Sequence, residues 1–322
     1  MLLEVRKVSF MKRNLLFVLL LLVTSFGFAQ NSINSAKPTS KIINAEQLLN
    51  DLKTLSADDM EGRGTGTKGI SKAREYIVNR FKESGLEPLD DTYFQDFEIV
   101  SRQPTEKLKG INVLGFIKGK KNPENFIVIT AHYDHLGIKN GEIYNGADDN
   151  ASGTCALFAI AKYFVKNQPS NSLVFVAFDA EEMGLQGSKY FVRTLPVLKE
   201  SILLNINMDM ISHNDKNELY ATGTFSYPKL KPFLETVQKT APVKLLLGHD
   251  DPKLGHDNWT DQSDQGSFYK VNIPFIYFGV EDHKDYHKST DDFPTINQDF
   301  YVHAVETIVS AIDVFDKNLS IK

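Results

Sequence analysis

Two kinds of apolar pattern alternate along the chain. One recurs every three to four residues and predicts amphipathic helices over 45–55, 70–86, 152–165, 187–198, 230–239 and 298–315. In the second of these Ile70, Ala73, Ile77 and Phe81 share one face and Gly85 stands near the stop, while in the third Ala156, Ala159, Ile160 and Phe164 point inward. The other kind is a short unbroken apolar run rich in β-branched and aromatic residues, which predicts strands over 94–99, 111–117, 126–130, 173–178, 203–208 and 275–279. Strands that are apolar throughout, alternating with amphipathic helices, imply a buried sheet covered on both faces, so the expected class is α/β. A polar lead-in occupies 31–41, and beyond it no Gly/Ser/Pro linker, repeat or shift of composition divides the chain. A single domain over 30–322 is expected.

The first residues follow a different logic. Lys12 and Arg13 precede an uncharged apolar run, 15–23, and then Thr24, Ser25, Phe26, Gly27, Phe28, Ala29 and Gln30. A basic start, a short apolar stretch and small residues before a cut form the layout of a secretory signal peptide, with cleavage expected after Ala29 and Met11 as a natural initiator. The run is shorter than the roughly 20 residues that span a bilayer. Export to the periplasm or the exterior follows, with no stable membrane association after cleavage.

Composition narrows the partners. With 36 Lys plus Arg against 41 Asp plus Glu, the net charge is −5, which supplies no basic surface for nucleic acid. Apolar residues at 42%, including 22 Phe, suffice for a large core. The one cysteine, Cys155, excludes an internal disulfide framework and reads as a small core residue.

The chemistry-bearing residues cluster at or just past strand ends, where open α/β sheets place their sites. Ala131-His132-Tyr133-Asp134-His135 follows one strand, and Ala147-Asp148-Asp149-Asn150 leads into a helix. Asp179-Ala180-Glu181-Glu182 follows the strand 173–178; three acids at the mouth of an apolar strand repel unless a cation or protons compensate. Asp209 sits between Met208 and Met210, and Asp285-Tyr286-His287 with Asp291 follows the last strand. Five segments each offer an imidazole or carboxylate and none a thiolate, a ligand set suited to two divalent metals of the zinc class sharing a carboxylate. One carboxylate of the Glu181-Glu182 pair is then surplus, as proton transfer in metal-assisted hydrolysis requires.

These ordered motifs, with Met60-Glu61-Gly62-Arg63-Gly64-Thr65-Gly66 and Gly85-Leu86-Glu87-Pro88 upstream, resemble the dizinc exopeptidases of metallopeptidase family 28, whose relatives include glutamate carboxypeptidases and glutaminyl cyclases. The resemblance implies a mixed, mostly parallel sheet of about eight strands flanked by helices, and two zinc ions, other divalent metals being compatible with the ligand types. It implies that His132 binds one metal and His287 the other, that Asp148 bridges them, and that Glu182 and Asp209 complete the two shells. Glu181 is the implied general base and acid. Asp134 is to support His132, Asp149 to support the bridge, and Asp291 to stand behind His287. Only the segment 98–131 separates Phe97 from His132, too little for the protease-associated insert of larger relatives.

Two departures from the family pattern stand out. Ser263-Asp264-Gln265 occurs where members often carry Ser-Asp-His, and no tyrosine occupies the loop that supplies an oxyanion donor in some members, leaving Tyr227 and Tyr286 as alternatives. The activity implied is that of a secreted aminopeptidase acting on peptides with a free N-terminus. A glutaminyl cyclase, or a carboxypeptidase or dipeptidase drawing on Arg63, Lys284 or Lys288, stands as the alternative, and a receptor-like protein is disfavoured because all six positions are kept.

Overall fold

The structure, a computed structural model, describes residues 37–100 and 108–320; the expected signal peptide therefore lies outside the described residues. From Pro38 onward the chain forms one compact unit. The N-terminal helices are α1 (Ala45–Leu55) and α2 (Lys68–Ser84). Asn44 caps α1 by accepting from the Gln47 amide, and Gly85 ends α2 at a left-handed φ of 90°.

Ten strands follow: β1 (Phe94–Glu98), β2 (Lys109–Ile117), β3 (Asn122–His132), β4 (Gly137–Lys139), β5 (Glu142–Tyr144), β6 (Asn171–Phe178), β7 (Ile202–Met208), β8 (Glu218–Thr222), β9 (Lys244–Leu247) and β10 (Phe275–Gly279). Between and after them lie α3 (Gly153–Lys166), α4 (Gln186–Arg193), α5 (Lys231–Gln238), α6 (Gln265–Lys270) and α7 (Gln298–Asn318). Eight strands form one mixed sheet in the order β1-β2-β6-β3-β7-β10-β8-β9, and β4-β5 is a separate hairpin. The central run β6-β3-β7-β10 is parallel throughout. The mixed eight-stranded sheet is the one the motifs implied.

Alternate residues of the central strands feed two cores. Ile127, Ile129, Leu173, Phe175 and Ala177 face the larger one with α1, α2, α3 and α7, whereas Val128, Val174, Val176 and Phe178 face a smaller one closed by Phe191 of α4 and Phe268 of α6. Phe178 packs edge-on to Phe191 at 5.6 Å between ring centroids. Truncating it to Ala would cost about 3–5 kcal/mol. Because both faces are covered, polar strand residues must be satisfied inside: Thr130 donates to Asn207 Oδ1 at 2.6 Å and accepts from Asn205 at 3.0 Å.

The helix expected over 187–198 stops at Arg193, since Pro196 disfavours helical backbone in the residue before it and Thr194 caps the last turn. β8, β9, the β4-β5 hairpin and α6 had no sequence-level counterpart.

Candidate metal centre

Parallel strands deliver their carboxyl ends to one edge of the sheet, and that is where the ionisable residues meet. His132 is the last residue of β3. Its Nδ1 donates to the Asp134 carbonyl at 3.1 Å, and Nε2 faces Asp209 Oδ1 at 3.2 Å and Asp149 Oδ1 at 3.4 Å; against burial, these acids hold the imidazole well above its usual range. On the other side of Asp149, Oδ2 stands 3.1 Å from His287 Nε2, which is 3.5 Å from Glu182 Oε1. One carboxylate thus offers an oxygen to each of two histidine–carboxylate groups.

This carboxylate is Asp149, not Asp148. Asp148 turns the other way: its Oδ1 accepts the amide and hydroxyl of Ser212 at 2.6 and 2.8 Å, and its Oδ2 faces His283 at 3.0 Å. Adjacent residues entering α3 point to opposite sides, and the loop fixes which one looks into the centre. Asp291 does not reach His287 either; it accepts the Asp148 amide at 3.0 and 3.1 Å and the Asp149 amide at 3.0 Å, bracing the loop. Asn150 completes the brace by donating to the Met208 carbonyl at 2.9 Å and accepting from Gly153 at 2.9 Å. Position 153 must be glycine, because a Cβ there would lie 2.5 Å from the Met208 carbonyl oxygen. The Asp149–Asn150 peptide is cis.

Asp134 lies beneath the paired acids: its oxygens accept the Glu181 and Glu182 amides at 3.0 and 3.2 Å, and one is 3.7 Å from His132 Nδ1. Asp179 holds the β6 exit to β2, accepting from Ile111 at 3.0 Å and Thr65 at 2.8 Å, and burial pushes its carboxyl up to about 7. Glu181 groups with His132 and Asp209. Burial drives its carboxyl well above the ordinary range, with His132 pulling it back. Burial also raises Asp209. Glu182 goes down to about 2, since the neighbouring imidazoles of His135 and His287 outweigh its desolvation. His287 goes up to about 10 between Asp149 and Glu182.

Sequence reasoning left His135 without a role. It is buried, its Nδ1 lies 2.9 Å from Glu182 Oε1 and 3.7 Å from Asp149 Oδ2, and neither ring nitrogen has a hydrogen-bond partner among the described residues. Its place right after His132 and Asp134 was visible, but a second histidine in one short segment carries no spacing signal of its own. Asp264 was also missed: it is fully buried, both oxygens lack a hydrogen-bond partner among the described residues, and burial pushes it up to about 7. The groups His132-Glu181-Asp209 and His135-Asp149-Glu182, the second with unpartnered atoms on His135 and Glu182, fit divalent cations.

Arg63 takes no part in ligand recognition. It is fully buried, and its guanidinium donates to the carbonyls of Tyr133 (2.8 Å), Leu55 (2.9 Å), Asn145 (2.6 Å) and Gly146 (2.9 Å). Gln265 links Asn207 to the Trp259 carbonyl by 2.9 and 2.7 Å hydrogen bonds, filling the place where the family pattern has histidine. Tyr227 is bonded to the Ile273 carbonyl at 3.3 Å, away from the centre, whereas Tyr286 stacks on His287 at 4.0 Å.

A model of Peptidase family M28 matches residues 112–312, from β2 into the terminal helix. The chain belongs to peptidase family M28. Curated relatives include a probable zinc metalloprotease of Pyrenophora tritici-repentis (strain Pt-1C-BFP), 30% identical over 156 residues, 46% of this chain and 32% of that protein. Another, from Leptosphaeria maculans, is 26% identical over 228 residues, 67% of this chain and 52% of that protein. The chain thus spans about a third to a half of the length of these relatives. Among solved structures, BSAP, a zinc aminopeptidase from Bacillus subtilis, superposes with a TM-score of 0.70 at 17% identity, covering 88% of this chain and 98% of that one. The glutaminyl cyclase of Porphyromonas gingivalis superposes at 0.68 and 19% identity, covering 85% and 99%. Both likenesses show the fold.

Proposed function

We propose that this chain is an exported M28 aminopeptidase that binds two zinc ions and removes N-terminal residues from peptides. The observation that carries this reading is the Asp149 carboxylate, set between His132 with Asp209 on one side and His287 with Glu182 on the other. Two cations held there would polarise the scissile carbonyl and lower the pKa of water, which is the chemistry hydrolysis needs. Residues 30–322 act as one catalytic domain, and 1–29 as a cleaved signal.

The protein's own groups supply the proton traffic. Glu181 is buried beside His132 and Asp209 and is not required as a ligand once Asp149, Asp209 and Glu182 are assigned. It takes the proton of the attacking water and passes it to the leaving amine, which its raised carboxyl suits. Asp134 orients both members of the Glu181-Glu182 pair through their amides and His132 through its carbonyl. Tyr286, stacked on His287, is the better placed of the two tyrosines to donate to a developing oxyanion. A cation held by His287 and Glu182 would take the substrate's free amine, and the site would then act as an exopeptidase. With the Arg63 guanidinium spent on four carbonyls, the carboxypeptidase reading loses its buried cation.

Cyclisation of N-terminal Gln is the second reading, supported by the glutaminyl cyclase among the structural neighbours. The full ligand set on both sides of Asp149 favours hydrolysis. A panel of aminoacyl chromogenic amides, assayed with and without chelator beside an N-blocked control, separates them. Chelator-sensitive release that needs the free amine is expected; cyclisation of a Gln-peptide without amide release would replace the proposal. Export is checked by N-terminal sequencing of the protein recovered outside the cytoplasm, which should begin at Gln30.

A further inference from the structure

A second histidine–carboxylate group lies outside the centre described above. His213, just past β7, and His283 and Asp285, on the loop after β10, each bring one ligand atom within 4.8 Å of the other two. The two imidazoles stack at 3.8 Å and 19°.

The hydrogen bonding leaves two buried ligand atoms, His213 Nδ1 and Asp285 Oδ2, without a partner among the described residues. His283 Nε2 faces Asp148 Oδ2 at 3.0 Å, and Asp148 is held in turn by the Ser212 amide and hydroxyl. A carboxylate at Nε2 keeps the proton on that nitrogen, so Nδ1 carries the lone pair, which a cation would take over from the long amide hydrogen bond it now accepts. At Nδ1 the contact is a 3.3 Å approach of the Asp285 amide. Asp285 is 5% exposed; Oδ1 accepts from Thr290 at 2.7 Å, whereas Oδ2 is buried and has no hydrogen-bond partner among the described residues. His213 Nδ1 is likewise buried and without a hydrogen-bond partner, 4.0 Å from Asp285 Oδ2. The nearest cation to that oxygen, Lys284 Nζ at 3.8 Å, sits on a side chain 80% exposed and largely solvated. Leaving a buried carboxylate oxygen and an imidazole lone pair unpaired side by side is unfavourable, and a cation between them removes the penalty.

We propose that His213, His283 and Asp285 form a separate divalent-cation site, of the zinc class, with water completing the shell. Two imidazole nitrogens and one carboxylate oxygen suit zinc better than calcium or magnesium, which prefer oxygen throughout. The site ties the β7 exit to the loop that carries His287, and gives Asp148 its work: it steadies His283 while its neighbour Asp149 serves the main centre. The inference does not depend on the proposed aminopeptidase activity.

The test is zinc content of the full mature chain after equilibrium dialysis at buffered micromolar free zinc, for the wild type, His213→Gln, Asp285→Asn and a His132→Ala/Asp149→Asn double variant, with far-UV circular dichroism as the check on folding. The wild type should hold one equivalent more than either single variant, and the double variant should keep that equivalent while losing those of the main centre. Equal zinc in the wild type and both single variants overturns the proposal. If the double variant matches the wild type while His213→Gln falls by one, the main-centre assignment fails and this one stands. Should His213→Gln not fold, His213→Cys loaded with cobalt should show a thiolate-to-cobalt absorption band, and its absence overturns the proposal as well.

Discussion

The two sides of Asp149 are built differently. On the His132 side the ligands sit at strand ends: His132 closes β3, Asp209 follows β7, and the His132 side chain is 1% exposed. On the His287 side the ligand comes from a loop, at a left-handed φ of 55°, and its side chain is 41% exposed. Charge follows the same division. Around His132 the acids Glu181, Asp209 and Asp264 have one imidazole among them, and burial raises all three carboxyls. Around His287 the acids Asp149 and Glu182 share His135 and His287, and both are lowered. The enclosed side is therefore the one short of positive charge. It has the greater demand for a cation, while the open side leaves the His287 ring partly in contact with solvent.

The sharpest attack on this comparison is Glu181→Gln. It should keep its zinc and lower kcat by a factor on the order of 10² or more. Near-wild-type turnover would remove the reason for placing the reacting water on the enclosed side. Next in size, His287→Ala should retain the enclosed cation, whereas His132→Ala should lose it. Metal analysis of the two proteins reads this directly, and equal retention would mean that the sides do not differ in demand.

Acidity supplies a third test. In the metal-free protein His287 titrates at about 10, so a metal entering there displaces a proton, and apparent affinity on that side should fall about tenfold per unit as pH drops from 8 to 6. Competition titrations against a chelator across that range would show it; a flat profile would contradict the charge assignment. The smallest effect concerns Asp264. Its folded carboxyl, at about 7, holds a proton that the unfolded chain releases above about 4, so the metal-free protein loses stability as pH rises between those values. Asp264→Asn should raise the melting temperature of the chelated protein by a few degrees at pH 8 and by nothing at pH 4. An equal gain at both values would point to packing instead.

Much of this architecture was legible because the central strands are apolar on both faces and end abruptly in acids or histidine. β3, β6, β7 and β10 could be found by that contrast, and the centre with them. β8, with Glu218 and Thr222 at its ends, and β9, four residues long, carry too few apolar positions to announce themselves. The exchange of Asp148 for Asp149 has another cause. Two identical side chains in succession differ only in the direction the backbone gives them, and composition holds no record of direction. His135, His213 and His283 were overlooked because isolated histidines become informative only when the fold shows what they face.

Arg63 marks where the catalytic unit begins. The stretch that matches the family starts at residue 112, yet the walls of the centre near Tyr133, Asn145 and Gly146 hang on a guanidinium far upstream, anchored in turn at the end of α1. Trimming the chain to its family-matched span would keep every proposed ligand and remove the clasp that gathers their loops. The smallest autonomous version of this protein therefore includes α1 and α2.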